Sequence, residues 1–289
     1  VYIGKGTKYV LAVRCIKMNT LKPKSRSRIR LYAGKLYYTF MRYMYWYLRR
    51  NSFTQNKRLK LLPNVAFEHK TPLLRKLKDV DMWLQYNKIE NLKLAVKELD
   101  GIVIRPGETF SYWRLIGRPS KRKGYKEGMV LYYGGFKPGV GGGLCQLSNL
   151  IYWMTLHTQL KVKERYRHSY DVFPDVNRTQ PFGSGATCVY NYRDLQIYND
   201  TDEDYQLHLY LDEEHLHGEW RSTEKTEVVY KVYEKKHWIS HEYWGGYLRN
   251  NMIYRKTLDC DGNELKDEYI SENHAIMMYS PLLGQGDIE

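Results

Sequence analysis

Gly139-Val140-Gly141-Gly142-Gly143-Leu144-Cys145-Gln146-Leu147-Ser148-Asn149 is the stretch that decides how the rest of this chain is read. Glycines lead directly into Cys145. From there the apolar residues Leu144, Leu147, Ile151 and Met154, with Trp153 beside them, recur at helical spacing and predict a helix that opens at the cysteine. A sulfur in that first turn lies near the positive end of the helix macrodipole, beside backbone N–H groups that lack an intrahelical acceptor. Both effects favour the thiolate, which is the reactive form. The glycines leave room for a second backbone or a substrate to approach closely. Such a loop can present a nucleophile with an oxyanion hole next to it. The same residues equally fit a small buried hydrophobe, after a loop that binds phosphate or only turns the chain. A P-loop is excluded, because no Gly-Lys-Ser/Thr follows.

Around Cys145 the candidate partners are few. Gln146 and Ser148 can donate to a developing oxyanion, or cap the helix. Residues 161–167 read as an extended segment ending at His168, so His168 and Cys145 are expected to converge at one sheet end. His168 is the candidate base; its plainer reading is a surface histidine beside Arg167. Arg165 can hold a substrate carboxylate through a bidentate contact, or pair within the fold. His157 lies roughly three turns further along the cysteine helix and is discounted. A single His69 in a loop reads as structural. Residues 186–192 read as a strand that puts Cys188 in the core.

Further out, the patterns alternate between helix and strand. Residues 28–50 predict one helix whose aromatic residues are interleaved with cations. It can lie flat on an anionic membrane or pack on the domain. Residues 51–64 are polar and basic, as in a linker. Residues 79–99 predict a helix, 102–104 a short buried strand, and Arg105-Pro106-Gly107 a turn. Residues 120–125 form a basic loop, which would meet an anionic substrate or simply be solvated. A strand is expected over 129–133. From Tyr190 onward the pattern becomes all-β: 194–199, 205–211 and 227–235 alternate, and 253–258 precedes the turn at Asp259-Cys260-Asp261-Gly262-Asn263. The expected fold is α+β, a mixed or antiparallel sheet core with a few helices, a basic helical N-terminal arm and a β-rich C-terminal part. Three regions are expected: 1–64, a basic extension with its amphipathic helix; 65–204, the central domain; and 205–289, a β-rich extension packed on the core.

Bulk properties narrow the partners. The chain has 289 residues, 43% hydrophobic, which suffices for a sizeable core, and carries 28 tyrosines and a net charge of +14. That charge favours an anionic partner, whether nucleic acid, acidic lipid or wall polymer. No Asp or Glu precedes Glu68, so the excess lies in an N-terminal arm. With no zinc spacing, helix-turn-helix or ribonucleoprotein motif, nucleic acid is not expected. Cys15, Cys145, Cys188 and Cys260 form no C-x-x-C pair and are widely spaced, so reduced thiols and no metal are expected. No secretory signal is visible, and Arg30, Lys35, Arg42, Arg49 and Arg50 interrupt the one long candidate for a membrane span. A cytoplasmic protein, peripheral at the inner membrane face, is the expectation. Met18 reads as a natural start, with 1–17 as an upstream extension.

Several segments in order resemble the VanW family. They run from His69-Lys70-Thr71-Pro72-Leu73-Leu74 through Asn87-Lys88-Ile89-Glu90-Asn91 and Arg105-Pro106-Gly107-Glu108-Thr109-Phe110-Ser111-Tyr112-Trp113. They continue through the Gly141-to-Asn149 motif and Glu164-Arg165-Tyr166-Arg167-His168-Ser169, ending near Asp194-Leu195-Gln196-Ile197-Tyr198-Asn199-Asp200-Thr201. The Pro-Gly-Glu-Thr-Phe-Ser and Gly-Gly-Gly-Leu-Cys-Gln segments together make the resemblance specific. It implies a link to glycopeptide resistance and peptidoglycan metabolism. It also implies a cysteine-dependent acyl transfer of the L,D-transpeptidase type on peptidoglycan stem peptides, because similar domains in larger envelope proteins do this through the matching cysteine. Cys145 would then be the nucleophile and His168 its proton carrier. Gly142, Gly143, Gln146, Ser148 and Arg165 would meet a stem peptide or lipid-linked precursor, with no cofactor. A non-enzymatic accessory that binds such precursors, or the membrane surface, is the alternative. Many relatives read Gly-x-Asp-Ala-Thr where this chain has Gly183-Ser184-Gly185-Ala186-Thr187. Asp171 or Asp175 would have to replace that carboxylate beside His168.

Overall fold

A computed structural model describes residues 27–74, 81–132, 134–173 and 180–281 of the chain. Residues 1–17 and Asp175, named above, lie outside the described residues. The first helix, α1 (Arg28–Leu48), opens where Ser27 Oγ accepts the amide of Arg30 at 3.3 Å. Of its side chains only Trp46 is buried, and Ile29 remains 83% exposed. Its anchor is Arg42, which grips the Glu164 carboxylate with two nitrogens at 2.8 and 2.5 Å.

After α1 come β1 (Asn64–Pro72), α2 (Met82–Leu99), β2 (Val103–Ile104), β3 (Thr109–Ser111) and α3 (Tyr112–Ile116). The hairpin β4 (Glu127–Tyr132) and β5 (Gly135–Val140) leads into α4 (Cys145–Thr155), followed by β6 (Lys161–Glu164) and β7 (Tyr170–Asp171). Then come β8 (Gln196–Tyr198), β9 (Tyr205–Leu211), β10 (His215–Ser222), β11 (Val229–His241), β12 (Tyr247–Leu258) and β13 (Glu264–Met277). The helix expected over 79–99 begins at Met82, with Asp81 at its N-cap.

The sheet that seats α4 has the order β1-β10-β9-β2, with every pairing antiparallel. Along β10, Leu216, Gly218, Trp220 and Ser222 are buried while their neighbours are half-exposed, the period-2 pattern of a sheet covered on one face. The cover is α4, whose Leu147, Leu150, Ile151 and Met154 are buried at helical spacing. Gly218 permits the close crossing: a Cβ there would lie 2.7 Å from the Met154 methyl and 3.1 Å from Leu150. Trp220 Nε1 donates to Thr155 Oγ1 at 3.1 Å, so the buried indole is satisfied.

A second sheet, β3-β8-β6, and a C-terminal sheet, β11-β12-β13-β7, complete the α+β fold; among the named strands of the described residues, only the β13–β7 pairing is parallel. The C-terminal part is β-rich as expected. Strands 64–72 and 215–222 pair directly, so residues 205–222 share a sheet with the central stretch. Residues 51–64 are not a loose linker. Phe53 and Leu62 are buried, Phe53 bridges Thr109, and the amide of Leu62 donates to Gln206 Oε1 at 2.7 Å. The apolar pair inside that basic run pulls it onto the core. The strand expected over 186–192 is absent too. That backbone bonds to α4 side chains, and Val189 and Arg193 close a tight turn instead of joining a ladder.

Candidate functional site

The glycine loop is shaped by what crowds it. Gly141 takes φ +76° and donates its N–H to the Lys126 carbonyl at 3.0 Å. A Cβ on Gly142 would lie 2.2 Å from the backbone of Gly128 in β4, and one on Gly143 (φ +90°) would strike the Lys88 side chain. Buried Asn91 on α2 locks the arrangement. Its Nδ2 donates to Gly142 O at 2.9 Å and to Lys126 O at 3.0 Å, and its Oδ1 accepts the Lys126 amide at 2.8 Å. The space left by the glycines is therefore filled by a second backbone and a lysine stem. Gly142 has neither backbone group open, since its N–H donates to Gly139 O at 2.9 Å.

The loop delivers Cys145 as the first residue of α4. Just before and at that point, the amides of Gly143, Leu144 and Cys145 have no acceptor among the described residues. The Leu144 carbonyl is well used, by the amides of Leu147 and Ser148 and by the Tyr112 hydroxyl at 2.9 Å. Three unpaired donors at the positive end of an eleven-residue helix suit a carbonyl oxygen or a carboxylate. The sulfur itself faces a different environment. Cys145 is half-buried and its Sγ lies 3.8 Å from the Cys188 carbonyl. Burial pushes its thiol up, and pushes the neighbouring Cys188 thiol and Tyr112 phenol well above their ordinary values. Desolvation thus acts against the depression expected of a thiol at a helix N-terminus.

No hydrogen bond joins His168 to Cys145 among the described residues, where Sγ meets the Cys188 carbonyl instead. One edge of residues 186–188 faces α4: Ser148 Oγ donates to Ala186 O at 2.7 Å, Asn149 Oδ1 accepts the Ala186 amide at 2.8 Å, and Cys188 O meets Sγ. The other edge faces the His168 segment, with the Thr187 amide on Tyr166 O at 2.8 Å. No hydrogen bond involves His168 among the described residues. Burial, with the nearby Arg193 cation, lowers the His168 imidazole to about 4, so it is neutral.

The remaining expected site residues are engaged by the fold. Arg165 donates Nε to Gly185 O at 2.9 Å, Nη2 to Gly183 O and to Asn273 Oδ1 at 3.4 Å, and Nη1 to Asn273 Oδ1 at 3.3 Å, while its guanidinium stacks over Tyr152. It is not open to a substrate carboxylate. Gln146 Nε2 ties α4 to β1 through Thr71 Oγ1 and Pro72 O, both at 2.9 Å. Ser148 is buried and donates to the Ala186 and Cys145 carbonyls. Asp171 accepts from Arg249 at 3.3 Å and from the Tyr279 hydroxyl at 2.7 Å, in the C-terminal sheet. A Cβ at Gly185 would lie 2.6 Å from Asn149 Oδ1, so α4 occupies the space that a side chain there would need. His157 stacks on Phe67 at 4.1 Å and bonds Trp153 O, and His69 bonds Gln180; both are structural.

Asp194 was not foreseen as a buried site. Fully buried, it accepts from Ser111 Oγ at 2.5 Å, from the amides of Trp113 and Leu195 at 2.9 and 3.0 Å, and from Gln196 at 3.3 Å. Burial lifts its carboxyl to about 6. An acid opening an alternating apolar run is the only trace it leaves in the sequence. Among the described residues, the single group with metal-type ligands is elsewhere, at Asp212, His215 and His217.

Comparison with known proteins fits this geometry. The family described as "VanW like protein" matches residues 87–221, from α2 to the end of β10. The chain is 40% identical over 173 residues to "Vancomycin B-type resistance protein VanW" of Enterococcus faecalis (strain ATCC 700802 / V583), covering 60% of this chain and 63% of that protein. It is 33% identical over 113 residues to "Uncharacterized protein YoaR" of Bacillus subtilis (strain 168), covering 39% of this chain and 36% of that one. The chain thus spans less than two thirds of the length of either relative. No solved structure matches it. Its matched segment holds the glycine loop, Cys145, the segment across from it and the sheet beneath α4, and over residues 87–221 the chain carries a VanW-like domain.

Proposed function

We propose that this chain acts in glycopeptide resistance, as the name of its Enterococcus relative says of that protein, by binding peptidoglycan stem peptides or their lipid-linked precursors. The carrying observation is the start of α4: three amides without acceptors, at a helix N-terminus, beside a thiol that burial keeps protonated. A peptide carbonyl or terminal carboxylate would sit on those amides, with Cys145 as part of the wall. The reading is non-enzymatic, because the thiol is raised and no hydrogen bond pairs it with a histidine among the described residues. Titration of the labelled protein with a stem tetrapeptide, followed by amide NMR shifts, tests it. Saturable shifts at Gly143, Leu144 and Cys145 that persist in Cys145→Ser are expected; shifts absent or confined elsewhere would contradict it.

One observation favours a second reading, cysteine acyl transfer. Cys145 is the first residue of α4, beside the same amides, which is where a thiol nucleophile and its oxyanion hole would stand. Attack on a stem-peptide carbonyl would need substrate to open the sulfur and a base to take its proton. Loss of turnover of that peptide in Cys145→Ser would establish it. For location we propose an anionic membrane face. Helix α1 carries Arg28, Arg30 and Lys35, with Arg49 and Arg50 directly after it, and exposed Tyr32, Tyr37, Phe40 and Tyr47, and no acid. No helix among the described residues is long and apolar enough to cross a membrane.

A further inference from the structure

The tip of the β9–β10 hairpin carries a second arrangement, apart from the α4 amides. Strand alternation sends Leu216 into the core and leaves His215 and His217 on the opposite, outer face. Asp212, in the turn between the strands, folds back toward both. Its Oδ1 accepts the amides of Glu214 at 2.8 Å and His215 at 2.5 Å, which fixes the carboxylate. Its Oδ2 lies 2.6 Å from His217 Nε2, and its Oδ1 lies 3.9 Å from His215 Nδ1. One ligand atom from each of the three residues falls within 4.8 Å of the other two.

From this geometry we propose a divalent transition-metal site, of the Zn²⁺ class, formed by Asp212, His215 and His217. Two imidazoles and one carboxylate are a borderline donor set, suited to Zn²⁺ and its neighbours rather than to Ca²⁺ or Mg²⁺. Bonds of about 2.0–2.2 Å place two ligand atoms of a tetrahedral ion about 3.3 Å apart. The Asp212–His217 contact therefore needs to open by well under an ångström, with the ion taking the place of the shared proton. The site is supported from behind. The His217 ring stacks on its cross-strand partner Tyr210 at 4.5 Å and 3°, and the Asp212 carboxylate is held by backbone amides. Water, or the Glu214 carboxylate 3.8 Å from His215 Nδ1, can complete the coordination.

The hairpin tip is joined to the end of β1 as well, where the Glu214 carbonyl accepts the Leu73 amide at 2.7 Å. Lys70, which is exposed, is the register partner of His217 across β1 and β10. The test is calorimetric titration of the metal-stripped full chain with ZnCl₂, paired with Co²⁺ absorption spectra. Wild type is expected to take up one ion saturably and to give the visible bands of a nitrogen- and oxygen-ligated Co²⁺. His217→Gln is expected to weaken uptake at least tenfold with an unchanged circular dichroism spectrum. Cys260→Ser, which removes the exposed thiol, should leave uptake intact. No saturable uptake by wild type, or uptake that His217→Gln leaves unchanged, would overturn the site. If His217→Gln alters the fold, His215→Gln decides by the same criterion.

Discussion

Gly142→Ala isolates the contact on which the start of α4 depends. Gly142 does not need a left-handed backbone, so alanine there carries no φ penalty. Its cost is steric: the new methyl would lie 2.2 Å from the carbonyl carbon and oxygen of Gly128, and backbone cannot swing aside as a long side chain can. The hairpin and the loop must separate, which also stretches the Asn91 bonds to Gly142 and Lys126. Overpacking costs about 1–3 kcal/mol, and weakening a buried polar network adds about 1 kcal/mol or more. A loss of about 2–4 kcal/mol is therefore expected. Gly107→Ala is the control. It has φ +79° with nothing within 4 Å of a Cβ, so it should lose only the cost of the conformation, about 1–2 kcal/mol. Urea denaturation of both variants, with an unchanged m-value, reads the difference. A Gly142→Ala loss no greater than that of Gly107→Ala would refute the claim that backbone contact holds the loop.

The other expectations are quickly stated. Asp194 has a folded pKa of about 6, above its unfolded value, so its contribution is fully present below about pH 4 and is lost as pH rises through about 6. Asp194→Asn should flatten the pH dependence of stability over that window by on the order of 2–3 kcal/mol, and parallel curves for the two proteins would contradict it. Arg42→Ala leaves the Glu164 carboxylate without its fork and should cost about 2 kcal/mol, with faster hydrogen exchange along α1; unchanged exchange would show that α1 is held otherwise. Gly34→Ala, in α1 with nothing within 4 Å, should raise stability by about 0.5–1 kcal/mol in thermal unfolding, and a loss would argue against the helix.

Local pattern carried the fold well where one face is buried and the other wet. The Leu147–Ile151–Met154 spacing gave α4, and the alternation in 205–211 gave β9. It failed where neighbours distant in sequence decide. Residues 186–192 alternate like a strand, yet Asn149 and Ser148 bond to Ala186 and pull that segment onto α4. Basic residues hid the burial of Phe53 and Leu62. At the candidate site the motif placed Cys145 at the helix start, but not the depth of its sulfur, which depends on Cys188 and Tyr112 from separate segments. Arg165 is engaged by the carbonyls of Gly183 and Gly185, which no spacing rule connects to it. His215-x-His217 after Asp212 was legible as alternation on one strand face, but the turn that folds Asp212 back is not visible in the sequence.

The state of the Cys145 thiol decides most directly between a binding wall and a nucleophile. Limiting iodoacetamide across pH, with mass mapping of each cysteine and Cys145→Ser as control, measures it. The account predicts that exposed Cys260 reacts first and that Cys145 reacts slowly in the folded protein, with a midpoint above the free-thiol value of about 8.5. Fast modification of Cys145 with a midpoint well under that value would contradict the account and make acyl transfer the reading to pursue.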